Sequence, residues 1–280
     1  MSNSQKKDKS IMKEEHRRVK NFLLHIGDFG CNFGKDCVNT LSFVGEVFIA
    51  LIYAVFHPRK VRWRETFYYM DSCGSDALPI VVVVGFLLGL VLALQGAIQL
   101  THLGAQDMVI NLVVLALVKE LGPIMIAVVA TGRAGSAFAA EIGTMKVTEE
   151  VDAMVTMGFS PVRFLVIPKV IALMIVLPLL TIFGDIAGIV GGMFVTYFKL
   201  GISIPETFHK ILELITFSAY MQGFLKSIVF ALLIAGVGCM RGFEASGDAQ
   251  SVGRSTTSAV VSGIFLIAIA NTIITIFFTI

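Results

Sequence analysis

Charge is scarce in this chain: charged residues make up 15% of its 280 positions, where soluble domains carry about 25%. An ordinary solvated globule is therefore excluded. The four cysteines (Cys31, Cys37, Cys73, Cys239) have neither CxxC spacing nor histidines placed to complete a metal site, so they are expected to be reduced packing residues, with no metal and no cofactor in this chain. No GxxxxGK(S/T) phosphate loop occurs, which excludes ATP hydrolysis by that route, and the lack of GxSxG, HExxH or paired acidic metal motifs disfavours an enzyme. A secretory signal is missing too. Met1 to Lys20 is polar and basic, and the first apolar patch, Phe22 to Ile26, is shorter than an h-region of about 7–15 residues, so no cleavage is expected.

What the chain has instead is long apolar runs. Hydrophobic residues reach 56%, and Ala77 to Leu100 and Thr257 to Ile280 are each charge-free. At about 1.5 Å per residue both can cross a hydrocarbon core of about 30 Å. Three further crossings are expected near Met108–Thr131, Phe164–Phe198 and Leu214–Met240. The third is long and interrupted by Pro178 and Asp185, which predicts a kinked, tilted or protruding helix, with a re-entrant pair as the alternative. Ahead of these, Phe33 to Phe56 is apolar but broken by Lys35, Asp36 and Glu46. It is followed by His57, Pro58, Arg59, Lys60, Arg62 and Arg64, with Trp63, Tyr68 and Tyr69 close by. An amphipathic helix lying in the interface suits this pattern better than a crossing. The expectation is thus an all-α polytopic membrane protein: a basic tail over 1–32, an interfacial helix and elbow over 33–70, and five spans over 71–280.

Basic residues set the orientation. Twelve of the twenty-two Lys and Arg lie in residues 1–64, pointing to an anionic membrane surface rather than nucleic acid. Arg133, Lys146 and Arg163 fall in the connection 132–163, and Arg241 and Arg254 in 241–256, whereas 101–107 has no Lys or Arg. The N-terminus is therefore expected in the cytoplasm and the C-terminus outside.

Some residues are too costly for a membrane to be incidental. Lys119, Glu120, Asp185 and Lys226 all fall within spans, where a central charge costs at least about 2.5–3.5 kcal/mol and so faces protein or a wet cavity. Lys119 and Glu120 diverge by about 100° on a helix and cannot serve one point together. Glu120 is therefore paired with Lys226 across helices, either as a register-fixing ion pair or as part of a polar ring lining a substrate cavity. Leu92, Gln95 and Gln99, spaced by three and four in the first span, with Leu121, are expected to line that cavity. Gly85, Gly89, Ala93 and Ala97 recur every four residues, as do Gly184, Gly188 and Gly192. Small residues so spaced allow close helix approach, within the chain or between subunits. Between the second and third spans, residues 132–158 read as a polar helical segment with small residues that docks a cytoplasmic ATPase through Arg133, Glu141, Lys146, Glu149 and Glu150, with Thr148 as N-cap of a short helix whose first turn holds Glu149 and Glu150.

The chain resembles an MlaE-type (YrbE-type) ABC transporter permease, the membrane subunit of MCE lipid-transport systems. The resemblance covers roughly 35–280 and rests on Gly89 to Gly96, Lys119-Glu120-Leu121-Gly122-Pro123, Gly132-Arg133-Ala134-Gly135-Ser136-Ala137, Ala140 to Glu149, Pro161-Val162-Arg163 and Lys226 to Phe230. It implies a homodimer on two cytoplasmic ATPase subunits that hold ATP and Mg, an MCE-domain ring on the outer face, and a STAS-type accessory subunit as a further partner. It further implies movement of phospholipid between a bacterial inner membrane and the outer envelope, sustaining outer-membrane lipid asymmetry. Lys119 stands where the family often has Arg, which removes a bidentate donor, and Asn271 stands where an acid was expected. Two competing readings are an ion-coupled secondary transporter using Glu120 and Lys226, and a structural scaffold of an envelope complex. The related halves typical of secondary transporters are absent from the sequence.

Overall fold

The computed structural model describes residues 42–54, 56–214 and 216–279, so the tail expected over 1–32 lies outside the described residues, as do Cys31 and Cys37. Two compact units divide the chain at residues 48 and 49. Helix α1 (Ser42–Ala54) straddles that boundary. At roughly 20 Å it is too short to cross a bilayer core, and all that follows concerns the second unit.

The described residues are helical throughout, with no strand. After the turn Pro58–Lys60 come α2 (Trp63–Gly74), α3 (Leu78–His102), α4 (Val109–Val147), α5 (Glu150–Thr156), α6 (Val162–Leu200), α7 (Ile204–Leu214), α8 (Phe217–Phe243) and α9 (Ala249–Thr279). Five of these, α3, α4, α6, α8 and α9, are long and apolar enough to cross a membrane. Trp63 donates its indole N–H to Pro58 O at 2.8 Å, which ties the start of α2 to the basic turn before it.

Two stretches differ from the sequence expectation, the coupling segment and the connection before α8. The coupling segment is not a separate helix starting at Gly132, because α4 runs unbroken to Val147 through two widened π turns, Leu117–Leu121 and Thr131–Gly135. Glycines cost a helix about 1 kcal/mol each, yet here their bareness admits neighbours: a Cβ on Gly135 would meet Ile234, and one on Gly143 would meet Ala245 and Val252. Tertiary packing overrides the propensity. Thr148 is the C-cap of α4 rather than an N-cap, and it is Glu149, in the left-handed region at φ 62°, that turns the chain into α5.

The third span is one continuous 39-residue helix that carries Pro178 inside it. Its length of roughly 58 Å exceeds the hydrocarbon core, so it protrudes, and no re-entrant pair forms. The connection before α8 contains a separate helix, α7, for which no span or helix is expected from the sequence; its Thr207 and Ile211 are buried.

The two glycine series meet each other inside the chain. A Cβ on Gly85 would overlap the carbonyl of Gly184, one on Gly89 that of Gly188, and one on Gly191 that of Phe86. Backbone-to-backbone contact of α3 with α6 is what the four-residue spacing serves. By contrast, α9 leaves Val261, Phe265 and Phe277 largely exposed.

Candidate functional site

Where α4 widens at Leu117–Leu121, the structure brings Glu120 against α8 and α9. The Lys226 ammonium lies 2.6 Å from Glu120 Oε1 and is fully buried. It donates as well to Thr275 Oγ1 at 2.8 Å and to the carbonyl of Lys119 at 3.1 Å. Three acceptors satisfy all three of its hydrogens. Thr275 passes its own proton on to Glu120 at 3.0 Å, and Asn271 donates its amide N–H to Glu120 Oε2 at 3.2 Å. Lys119 therefore reaches the cluster through its backbone carbonyl. The carboxylate stays 31% exposed, so it presents a charge to open space while its cation is sealed.

Thr275 escaped the sequence reading. A threonine in an apolar helix usually bonds its own preceding turn, and the partners Lys226 and Glu120 come to this one from neighbouring helices. Asn271 was noted as an uncharged substitute for an acid. Its amide donates where a carboxylate would have repelled Glu120, and its Oδ1 has no hydrogen-bond partner.

The other expected cavity residues do not join this cluster by hydrogen bonds. Leu92 is partly buried against the packed group that includes Ala93, Ala97 and Val113, whereas Gln95 and Gln99 are exposed on α3. Leu121 is half-buried beside Glu120.

Most of the charged residues expected to touch an ATPase are engaged within the chain. Arg133 pairs with Asp76 at 2.9 Å, and Lys146 with Asp152 at 2.6 Å. Glu141 accepts from the Tyr69 hydroxyl at 2.6 Å and pairs at 3.0 Å with Lys169, a fully buried lysine that also donates to Tyr69 at 2.8 Å. This knot joins α2, α4 and α6. Burial, and then the hydrogen bond to Glu141, pushes the Tyr69 phenol well above its usual range. Burial likewise pushes the Cys73 thiol up to about 11, against the opposing pull of Arg133 and Lys169. Cys73 and Cys239 are both free and buried. What remains outward is the tip around α5, where Glu149 and Glu150 are exposed beside Val155, Met157 and Phe159, at 55%, 65% and 53%.

No group of His, Cys, Asp and Glu able to hold a metal ion occurs among the described residues. The family model for Permease MlaE matches residues 66–277. A probable ABC transporter permease protein of Rickettsia typhi is 39% identical over 202 residues, 72% of this chain and 78% of that one. Its counterpart in Rickettsia bellii is 38% identical over 256 residues, 90% and 97% of the two chains. Protein TRIGALACTOSYLDIACYLGLYCEROL 1, chloroplastic, of Arabidopsis thaliana is 32% identical over 219 residues, 78% of this chain and 63% of that protein.

Proposed function

The chain belongs to the MlaE permease family, and from that premise we propose that it moves phospholipid, or a related lipid, between the inner membrane and the outer envelope. Permease subunits of ABC transporters work with a separate ATPase, and this chain has no phosphate loop of its own. The observation that carries the lipid reading is the Glu120 cluster: a carboxylate within the membrane, partly exposed, with its counter-charge buried behind it. A single charge facing an apolar space suits an amphiphile, which needs a polar point for its headgroup and apolar walls for its chains. A relative named for a galactolipid supports the same substrate class.

In this reading two copies enclose the lipid path, with Leu92, Gln95, Gln99, Lys119, Glu120, Leu121 and Lys226 along it. The α5 tip with Glu149 and Glu150 seats on the cytoplasmic ATPase, which holds ATP and Mg. The knot of Glu141, with Arg133 and Lys146, stiffens the lever behind the tip. An MCE-domain ring lies on the outer face and a STAS-type subunit on the inner one. The N-terminus is cytoplasmic, the C-terminus periplasmic, and the outcome is outer-membrane lipid asymmetry.

The test is to purify the full chain with its partners in mild detergent and identify bound lipid by mass spectrometry, then follow transport with an ATPase-dead partner at an intact ion gradient. Lipid in the preparation and collapse of transport are expected. Continued transport would favour the ion-coupled alternative, and no enrichment of lipid a scaffold.

A further inference from the structure

Among the charges inside the membrane-spanning helices, Asp185 is one that the Glu120 cluster leaves unexplained. It is 6% exposed, on α6, and its Oδ1 has no hydrogen-bond partner. Among the described residues no ion pair reaches it: Lys226 is committed to Glu120 and Lys169 to Glu141, and none comes from Lys119. An isolated buried carboxylate without donors is strongly disfavoured.

Its surroundings are shaped around it. Gly122 has no side chain where one would overlap Asp185 Oδ1, which gives the glycine of Lys119-Glu120-Leu121-Gly122-Pro123 a specific task. Thr181 lies one helical turn before Asp185 on the same face of α6. Tyr220, Gly223 and Ser227 share one face of α8 opposite, at spacings of three and four. Together with Val118 from the π turn, these residues line a cavity of about 10 Å³, about what one water-sized occupant requires.

The polar lining offers oxygen lone pairs and few hydrogens. Thr181 gives its hydroxyl proton to Leu177 O at 2.9 Å and Ser227 gives its own to Phe224 O at 2.7 Å. Both oxygens can therefore only accept. With Asp185 ionised, the cavity holds one negative charge, two acceptor oxygens, the Tyr220 hydroxyl and room for a single small occupant. A neutral water leaves the charge uncompensated. Calcium takes 6–8 oxygens and magnesium keeps several waters, and neither suits one carboxylate in so small a space.

We propose that Asp185, with Thr181, Ser227 and Tyr220, binds one sodium ion inside the helix bundle. The ion neutralises the carboxylate and draws α6, α8 and the widened turn of α4 together, beside but apart from the Glu120 cluster. The proposal is independent of which lipid is carried.

The test is the melting temperature of the full-length chain in nanodiscs at neutral pH, with sodium exchanged for N-methyl-D-glucamine or potassium at constant ionic strength. A saturable rise with sodium alone is expected. Asp185→Asn should abolish it, and Ser227→Ala should move its midpoint to about tenfold higher sodium, the cost of about 1.4 kcal/mol of binding. Because Asp185→Asn could fail to assemble, binding of radioactive sodium to the wild-type chain is measured as well. One ion per chain, displaced by unlabelled sodium and not by potassium, is expected. A melting temperature indifferent to sodium, or no saturable binding, would overturn the site and leave the carboxyl neutralised by its own proton.

Discussion

Lys226 is sealed and fully bonded whereas Glu120 is part-exposed, so the two halves of this ion pair are not equivalent. Removing the carboxylate strands a buried cation, and losing one partner of a buried pair costs about 3–5 kcal/mol. Glu120→Lys and Lys226→Glu should each abolish assembly, read as loss of the monodisperse peak in detergent. The double exchange should restore assembly and part of transport. Glu120→Gln keeps the shape and loses the charge; normal transport in that variant would reduce the cluster to a structural pin. A second residue-scale expectation concerns Cys73, which lies outside the spans. Folding holds its thiol up at about 11, against an ordinary 9.0. The unfolded chain therefore releases this proton first as pH rises, so stability present below about pH 9 is lost progressively towards pH 11. Cys73→Ser should flatten the fall in melting temperature across that window.

At the scale of elements, the contact of α3 with α6 depends on missing side chains. Gly89→Ala must push a carbonyl aside, and overpacking of this kind costs about 1–3 kcal/mol. A lower melting temperature and poorer membrane yield are expected. Gly236→Ala, in α8, meets nothing within 4 Å and should be neutral or stabilising, since alanine favours a helix by about 1 kcal/mol over glycine. The same contrast separates folding from coupling near α5. Glu141→Lys breaks the bonds to Lys169 and Tyr69 and should destabilise the isolated chain. Met157→Asp, at an exposed tip, should leave its melting temperature unchanged while reducing co-purification of the ATPase. Retention of the ATPase in the Met157 variant would move the docking surface away from α5.

At the scale of the whole molecule, membrane insertion, the number of apolar spans and family were legible in the chain itself, because they follow from local quantities. A run such as Ala77 to Leu100 must be helical and buried in lipid whatever surrounds it, since no water is there to satisfy its backbone. The cost of a charge in lipid likewise marked Glu120, Lys226 and Asp185 from composition alone. Local rules were outvoted at some positions. Gly135 lowers helix propensity, yet it sits inside α4, where its bare backbone lets Ile234 of α8 approach. Glu141, expected to touch an ATPase, is held as well by Lys169, twenty-eight residues away, a contact no local pattern shows. Which lysine faces Glu120, that Thr275 bridges the two, and that Asp185 is left with a vacant oxygen beside a cavity were decided by the tertiary structure. Those facts depend on how three or four helices are rotated about their axes, and the rotation is set by packing between residues distant in sequence, which no local pattern encodes.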